Sequence, residues 1–538
     1  MLRKLLSKKF VPAIVGLSLV AVTLVAPISS VSAKDTAPKP IDPKTIDATR
    51  RLRLIGTNGV QQMDPVTGAV TCEAEMLRWL YDTLIRLTPD GQLVPGLAES
   101  WGREGKNFVL HLRHGVIFQD GTKFNAAAVK AHILRAKTLA KSVLATSLKA
   151  VDSVETPDPF TVVLVLNEGR AGVLPILFTD RAGMVPSPTA VANAGATYGA
   201  TSAVGAGPYK YDKHVSAVDF HVSAWKGYWD TEHRHLAGID MLGSATELQI
   251  QRVISGDVDY AAMKDIQLPE AVTGKSVAPK KLDYRVSPTD QYSEIYLNWN
   301  IAPFNNVLVR QALEYSLDRK TLASVLTANS AIPSTSPLAS TSWGHDAKAV
   351  DSLYKYDPVK AKALLAQAGF PNGITVDVGM IQNTYYVALS EAVQAMVKAS
   401  GFTFNLKSVS GAQINNRLYT LKDLPIAITA YRGSPDPGLT LEAKFMAKGS
   451  ANASSSSVPG IDTLLIKSAG ATDATLRAKW LKEAELLVMQ GAYSIPIYHN
   501  AGLVAFTPEF VGTMRGYTTC QFGDFVSAEV YFKKKNKK

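Results

Sequence analysis

Apolar and polar positions alternate in short runs along the first half of the chain. "RLRLIGTNG" (Arg51 to Gly59), "NFVLHLR" (Asn107 to Arg113) and the two arms of "SVETPDPFTVVLVLN" (Ser153 to Asn167) carry the period of two expected of strands. "VGAGPYKYDKHV" (Val204 to Val215) and "VDFHVSAW" (Val218 to Trp225) read as a further hairpin. Between the first two strands, "EAEMLRWLYDTLIRL" predicts a helix through Tyr81 and Leu84, followed by a Pro-Asp-Gly turn at Pro89. The rhythm changes near Val286. A strand at Glu294 to Asn300 leads into one long helix over Val307 to Leu326, and a second helix over Asp357 to Gly373 is stopped by Gly369 and Pro371. "ITVDVGM", a helix around Ser390 to Ser400, and "TFNLKSV" continue the alternation, and "DATLRAKWLKEAELLVMQ" (Asp473 to Gln490) precedes "YSIPIYH". Strands and helices mixed in this way predict α/β lobes with sheets covered by helices. "ANASSSSVPG" (Ala451 to Gly460) reads as an exposed loop.

One stretch has a denser grammar. In "RHGVIFQDGTKFNAAAVK" (Arg113 to Lys130), Asp120-Gly121 suits a tight turn because glycine tolerates positive φ. Phe118 and Phe124 are placed to anchor its arms, and Asn125 is a fair N-cap for the alanine-rich run that follows. Nothing in it requires catalysis.

Composition narrows the class. Arg3, Lys4, Lys8 and Lys9 precede an apolar run from Ala13 to Ala26 and the small residues Val31-Ser32-Ala33, the order of a cleaved secretory signal. Cleavage before Lys34 is expected, with no cysteine placed for a lipid anchor. The remaining chain is long enough for two or more lobes. The formal charge of +11 is spread out, with no dense basic block, zinc-finger spacing or helix-turn-helix pattern, so nucleic acid is not expected as a partner. Cys72 and Cys520 stand near opposite ends; whether they pair stays open. His345 and His499 are lone histidines without metal spacing, and no metal or cofactor is expected.

Several phrases occur together in a fixed order: "LYDTLIRLTPDGQLVPGLAESW", the Phe-x-Asp-Gly turn, "GAGPYKY", "GYWD", "LNWNIAPFNNVLVRQALEYSLDR", "YDPVKAKALLAQAGFPNG" and "GAYSIPIYH". With them the chain resembles the large solute-binding proteins of ATP-driven importers, the family of dipeptide, oligopeptide, glutathione and nickel binders. The resemblance implies a periplasmic-binding-protein fold of the large type: two α/β lobes of mixed sheets around a cleft, with an extra subdomain in lobe one. Residues 1–33 would be signal peptide, 34–295 lobe one, 296–504 lobe two, and 505–538 a return to lobe one. It also implies a monomer in the periplasm that captures a small peptide or peptide-like solute and hands it to a membrane permease with cytoplasmic ATPase subunits. The opening turn then has an architectural role.

The same resemblance directs attention to "AYRGSPDPG". In peptide-binding relatives an aromatic-x-x-Asp arrangement precedes an acidic-Pro pair, and that Asp holds the peptide's terminal amine. Matching Asp436-Pro437 puts Gly433 at the Asp place, so the amine anchor is missing, and takes Tyr431, two residues before it, for the aromatic. Arg432 offers paired donors for a carboxylate or phosphate, or is a solvated arginine. Ser434 and Asp436 complete the segment. Tyr431 stacks on ligand or packs in the core. Asn298 and Trp299, at the strand entering lobe two, and Met63 and Asp64, after the first strand, are further candidates for cleft contacts. "VGAGPY" lacks the Lys-Ser/Thr ending of a phosphate loop. No Gly-x-Ser-x-Gly elbow or His-Glu-x-x-His helix supports a secreted hydrolase. The alternatives kept beside transport are a sensor or scavenger of a non-peptide solute and, third, a hydrolase.

Overall fold

The computed structural model describes residues 42–534 apart from 57–59, 69–70, 89–91, 168, 217, 244–248, 264–282, 328, 472 and 512–529. The signal sequence and Cys520 lie outside the described residues, and so does any pairing of Cys520 with Cys72. The chain divides into a short unit, Met1–Thr45, of which a single 3-10 turn at Pro43–Thr45 is described, and a main unit, Ile46–Lys538.

The main unit is organised by one eleven-stranded mixed sheet. Its first end holds strands Arg51–Gly56, Tyr209–Val215, Asp219–Ala224, Gly238–Gly243 and Tyr260–Met263. Its other end holds Ile374–Ile381, Phe402–Val409 and Ile426–Arg432. Two long strands, Asp283–Leu297 and Ile495–Phe506, run antiparallel between the ends and belong to both. Each end has its own apolar core: Leu52, Leu54, Trp79 and Phe220 lie in one, and Leu313, Val378, Leu389, Phe402 and Leu481 in the other. The fold is therefore two-lobed α/β, with mixed sheets wrapped by helices.

Pairing along the crossing strands shifts register twice, at a one-residue bulge between Ser293 and Glu294 and at a wider break near their middle. Pro288 pairs with Ala501 and Tyr292 with His499, so residues 289–291 stand against Asn500 alone. Thr289 ties this break together by donating its Oγ1 hydrogen to Asn500 O at 2.8 Å.

Register also fixes where the strands end. Ile426–Arg432 runs antiparallel to the first crossing strand, with Arg432 opposite Gln291 and Ile426 opposite Leu297. Its C-terminal end thus lies at the break, together with that of its parallel neighbour Ile374–Ile381. In the other lobe Arg51–Gly56 is parallel to Tyr260–Met263, whose Met263 pairs with Leu503 and whose Tyr260 pairs with Phe506. Carboxyl ends of parallel strands from both lobes therefore point toward the same crossing, the place where open α/β sheets bind ligands.

A separate antiparallel sheet of four strands, Ala98–Glu104, Asn107–Leu112, Thr161–Leu166 and Val151–Asp158, is attached to the first lobe. With helix Ala126–Thr138 it encloses a core of its own around Phe108, Leu110, Phe118, Val129 and Phe178. The Asp120-Gly121 turn joins this subdomain to the main sheet. Gly121 has φ +86°, Phe118 and Phe124 meet edge to face at 5.7 Å, and Asn125 caps the helix by accepting from Ala128 N at 3.1 Å. Between the two aromatics, the Gln119 amide donates to Leu80 O, Gly207 O and Tyr209 O at 3.1, 3.1 and 2.7 Å. One buried amide thereby ties two distant segments, Leu80 and residues 207–209, to the turn.

Three local expectations are corrected. The first helix is Thr71–Leu77 and stops short of Tyr81 and Leu84, because the chain turns there into strand Ile85–Leu87, which pairs with Leu93–Pro95. The long helix is two, Val307–Tyr315 and Arg319–Thr327, because Asp318 accepts from Thr321 N at 3.1 Å and starts the second helix afresh. The segment 451–460 is largely folded inward, with Asn452, Ala453 and Ser454 buried. Asn298 supplies the reason: its amide donates to Lys422 O and Ala453 O at 3.2 and 3.0 Å, so the loop's polar backbone is satisfied away from water.

Candidate functional site

The segment Tyr431 to Asp436 leaves the C-terminal end of a central strand at the crossing. Tyr431, opposite Tyr292 in the ladder, has its ring 6.0 Å from that of Tyr292 and 4.7 Å from Lys444 Nζ. Burial raises its hydroxyl well above the ordinary tyrosine range, so it is neutral. Gly433 N donates to Asp290 O at 3.0 Å, and a Cβ at Gly433 would stand 3.0 Å from that oxygen. A side chain there meets the hinge backbone, which makes glycine the comfortable residue at the place of the missing amine anchor. Ser434 N donates to Thr440 Oγ1 at 2.7 Å. Asp436 is spent on structure: it caps helix Pro437–Phe445 through Gly438 N at 2.9 Å and pairs with Arg477 at 2.5 Å. Arg432 differs from all of these. It is half-buried at the strand's end, and its guanidinium has no acceptor among the described residues.

A second arginine lies within electrostatic reach of it. Arg181, from the 3-10 turn Arg181–Gly183, is buried with its Nη2 3.8 Å from Glu73 Oε2. Burial pulls the Arg181 guanidinium below its usual range; Asp180 and Glu73 oppose this, and the charge of Arg432 adds to it. Two like charges from opposite lobes therefore share one region. Glu73 also accepts from Gln61 N at 2.7 Å and Gln62 N at 3.1 Å, fixing the loop that follows the first strand. The Arg181 signal in the sequence was one arginine in a loop; only the fold places it here.

Behind this face the sequence concealed two buried polar groups. Ser293 Oγ lies 2.9 Å from Tyr385 Oη and donates to Asn500 Oδ1 at 3.0 Å, while Tyr385 Oη is 2.8 Å from Tyr498 Oη. This net staples helix Thr384–Val397 to both crossing strands beside the break. Lys444 Nζ pairs with both oxygens of Glu294, at 2.5 and 2.6 Å, beneath the rings of Tyr292, Tyr296 and Tyr431. Desolvation raises the Glu294 carboxyl and lowers the Lys444 amine from their ordinary values, each opposed by the partner's charge.

The remaining sequence candidates turn inward. Met63 is fully buried in the first lobe's core. Asp64 accepts from Arg135 Nη1 at 3.0 Å and Val66 N at 3.0 Å, so its charge is committed to the scaffold. Asn298 and Trp299 hold the 451–456 loop, the Trp299 indole donating to Ser456 Oγ at 3.0 Å and packing on Phe445 and Tyr493. The side chains singled out in the loop after the first strand are buried or paired within the first lobe. His499 and His345 are buried too, His345 paired with Glu485 at 2.7 Å. Among the described residues no group of three His, Cys, Asp or Glu is arranged to hold a metal ion.

Beside the arginines a cavity of about 640 Å³ opens between the lobes. Trp101, Phe108 and Ile176 line it from the subdomain side, and Trp343, Pro435 and Arg477 from the other lobe. The lobes touch at its edge. Arg170 Nη2 and Glu442 Oε2 form an ion pair at 2.7 Å, and Arg103 Nη1 donates to Gly470 O at 3.3 Å. A Cβ at Gly172 would come within 2.1 Å of Ala471 O, so only glycine allows this approach.

A two-lobed sheet, a cleft at the strand ends and a hinge of two crossing strands are the geometry of a binding protein. The family profile for bacterial extracellular solute-binding proteins, family 5 (middle), matches residues 92–452, well over half the chain. The chain belongs to this family. Its members are binding proteins that work outside the cytoplasm, and their role is not catalytic. The glutathione-binding protein GsiB of Escherichia coli O1:K1 is 30% identical over 332 residues, 60% of this chain. That match spans 62% of GsiB, less than two thirds of its length. Among solved structures, the family 5 chain is similar to AgaA of A. tumefaciens R10 in complex with agropinic acid (TM-score 0.76, 20% identity, covering 90% of this chain and 99% of that one). It is also similar to DppA of Helicobacter pylori in complex with the peptide STSA (TM-score 0.74, 20% identity, covering 90% and 98%). At these identities the likeness is one of fold.

Proposed function

We propose that this protein is the ligand-capturing component of an ATP-driven importer, closing its lobes on a peptide or peptide-like solute that carries an anionic group and presenting it to a membrane permease. The observation that carries this reading is Arg432, a half-buried guanidinium at the cleft with no protein acceptor among the described residues. Arg181 in the opposite lobe adds a second positive charge to the same region. Paired N–H donors suit a carboxylate, phosphate or sulfonate, and an anion between the arginines would relieve their mutual repulsion as the lobes close. Hinge motion centres on residues 289–291 and Asn500, where the ladder is broken. We place the changeover between lobes there, a few residues before the sequence-based limits of 295/296 and 504/505. Secretion to the periplasm as a free monomer belongs to the same reading.

Gly433 favours a second reading of the ligand. Without an acidic side chain at this place, nothing in the segment competes for a terminal amine, which suits an anionic non-peptide solute as well as a peptide. The structural relatives include proteins in complex with a peptide and with agropinic acid.

The test is to purify the secreted protein without denaturation and identify its bound solute by native mass spectrometry and fragmentation. An anionic solute whose affinity falls at least tenfold in Arg432→Ala is expected. A cationic solute, or chemical turnover of the solute by the purified protein, refutes the proposal.

A further inference from the structure

The cavity beside the arginines has a different chemistry from theirs. Its charges are already satisfied. Asp436 is engaged by Arg477 and by the helix it caps. Arg477 also donates to Ser468 O at 3.1 Å and lies 5.0 Å over the Trp343 ring. Arg103 directs its guanidinium to Gly105 O and Gly470 O. What remains for an occupant is apolar surface. Trp343 and Leu93 both line the cavity and keep 39% and 37% of their surface exposed, so their apolar faces are open to an occupant. One wall comes from each lobe, so the space is enclosed when the lobes meet. The volume lies within the range of small-molecule pockets, about 300–1,000 Å³.

The cavity adjoins the segment that carries the proposed anion site. Pro435 and Asp436 line it, and Arg432 ends the strand three residues before Pro435. Three residues of chain span at most about 10 Å, so one small molecule reaches both.

We infer that this chamber is the compartment for a bulky apolar, aromatic-sized portion of the ligand, which makes the cargo amphiphilic: an anionic group at the arginines and a flat or branched apolar group between Trp101 and Trp343. The inference rests on the binding function proposed above and narrows its ligand class. Leu93 provides a second handle on the chamber. It lines the cavity with its side chain exposed, so truncating it removes apolar wall without emptying a core.

The test titrates the mature protein with 1-anilinonaphthalene-8-sulfonate, an anionic aromatic probe, and follows its emission. One site per chain is expected, weakened more than fivefold by Trp343→Ala and by Leu93→Ala, with circular dichroism and melting temperature unchanged. Val325, exposed and absent from the chamber lining, supplies the control Val325→Ala, which should bind as the parent does. Absence of a single site, or a smaller effect in both chamber variants, overturns the inference. The binding function is scored separately with the solute released from the purified protein. If Arg432→Ala weakens that solute while the chamber variants leave both it and the probe unaffected, the chamber's role falls and the binding function stands. If the purified protein binds no solute and Arg432→Ala changes nothing, the function itself falls, whatever the probe does.

Discussion

Arg170 and Glu442 join the two lobes through an ion pair of 2.7 Å at the rim of the cleft. Arg170 follows the subdomain sheet and Glu442 lies in the helix capped by Asp436. Next to them Gly172 approaches Ala471 so closely that no side chain fits. The lobes thus possess contacts of their own, independent of any ligand.

Removing these contacts should favour opening. The Arg170 and Glu442 side chains are 30% and 16% exposed, so the pair is expected to contribute at most about 1 kcal/mol. Arg170→Ala should therefore speed solute release by no more than roughly fivefold. Gly172→Ala should have the larger effect, because its methyl group meets backbone. Stopped-flow release and small-angle scattering measure both. Unchanged release in Gly172→Ala would show that this contact plays no part in closure.

Lys444 and Glu294 give a sharper stability prediction. Both are at most 4% exposed, so Lys444→Met leaves a carboxylate buried without its counter-charge. A loss of about 3–5 kcal/mol is expected in urea unfolding. Combining it with Glu294→Gln should recover much of that loss, since the stranded charge disappears. No recovery in the double variant would contradict this account.

His132 and His499 predict acid sensitivity. Burial lowers each to about 4 from an ordinary value of 6.5. Both are neutral when folded, while the unfolded chain takes up protons below pH 6.5. Their contribution is intact above that pH and is lost as pH falls toward 4, by about 1.4 kcal/mol per unit for each histidine. His345 acts in the opposite sense: Glu485 and Asp351 outweigh burial and raise it, so its contribution is present below 6.5 and fades at higher pH. Unfolding curves between pH 4 and 7 should flatten in His132→Gln and His499→Gln.

Asp64 should behave as scaffold. Asp64→Ala strips Arg135 of its partner and Val66 N of its acceptor, at an expected cost of about 3 kcal/mol. Solute affinity measured well below the melting temperature should match the parent. A large loss of affinity with normal stability would return Asp64 to the binding site.

The sequence by itself determined the local elements and the family. Period-two runs gave the subdomain strands, the Asp120-Gly121 turn and its Asn125 cap followed from φ preference and capping chemistry, and the ordered phrases identified a two-lobed binding fold. These are consequences of nearest neighbours and of patterns that survive in one dimension. Tertiary structure decided which polar side chains are free to act. Asp64, Asp436 and Asn298 had suitable chemistry and position, yet each is consumed by a partner distant in the chain or by a nearby backbone group. Arg181 carried no motif and is brought within electrostatic reach of Arg432 only by folding. Trp101 and Trp343 come to face one chamber in the same way. Hydrogen-bond satisfaction and cleft formation depend on contacts across hundreds of residues, and no periodicity records them.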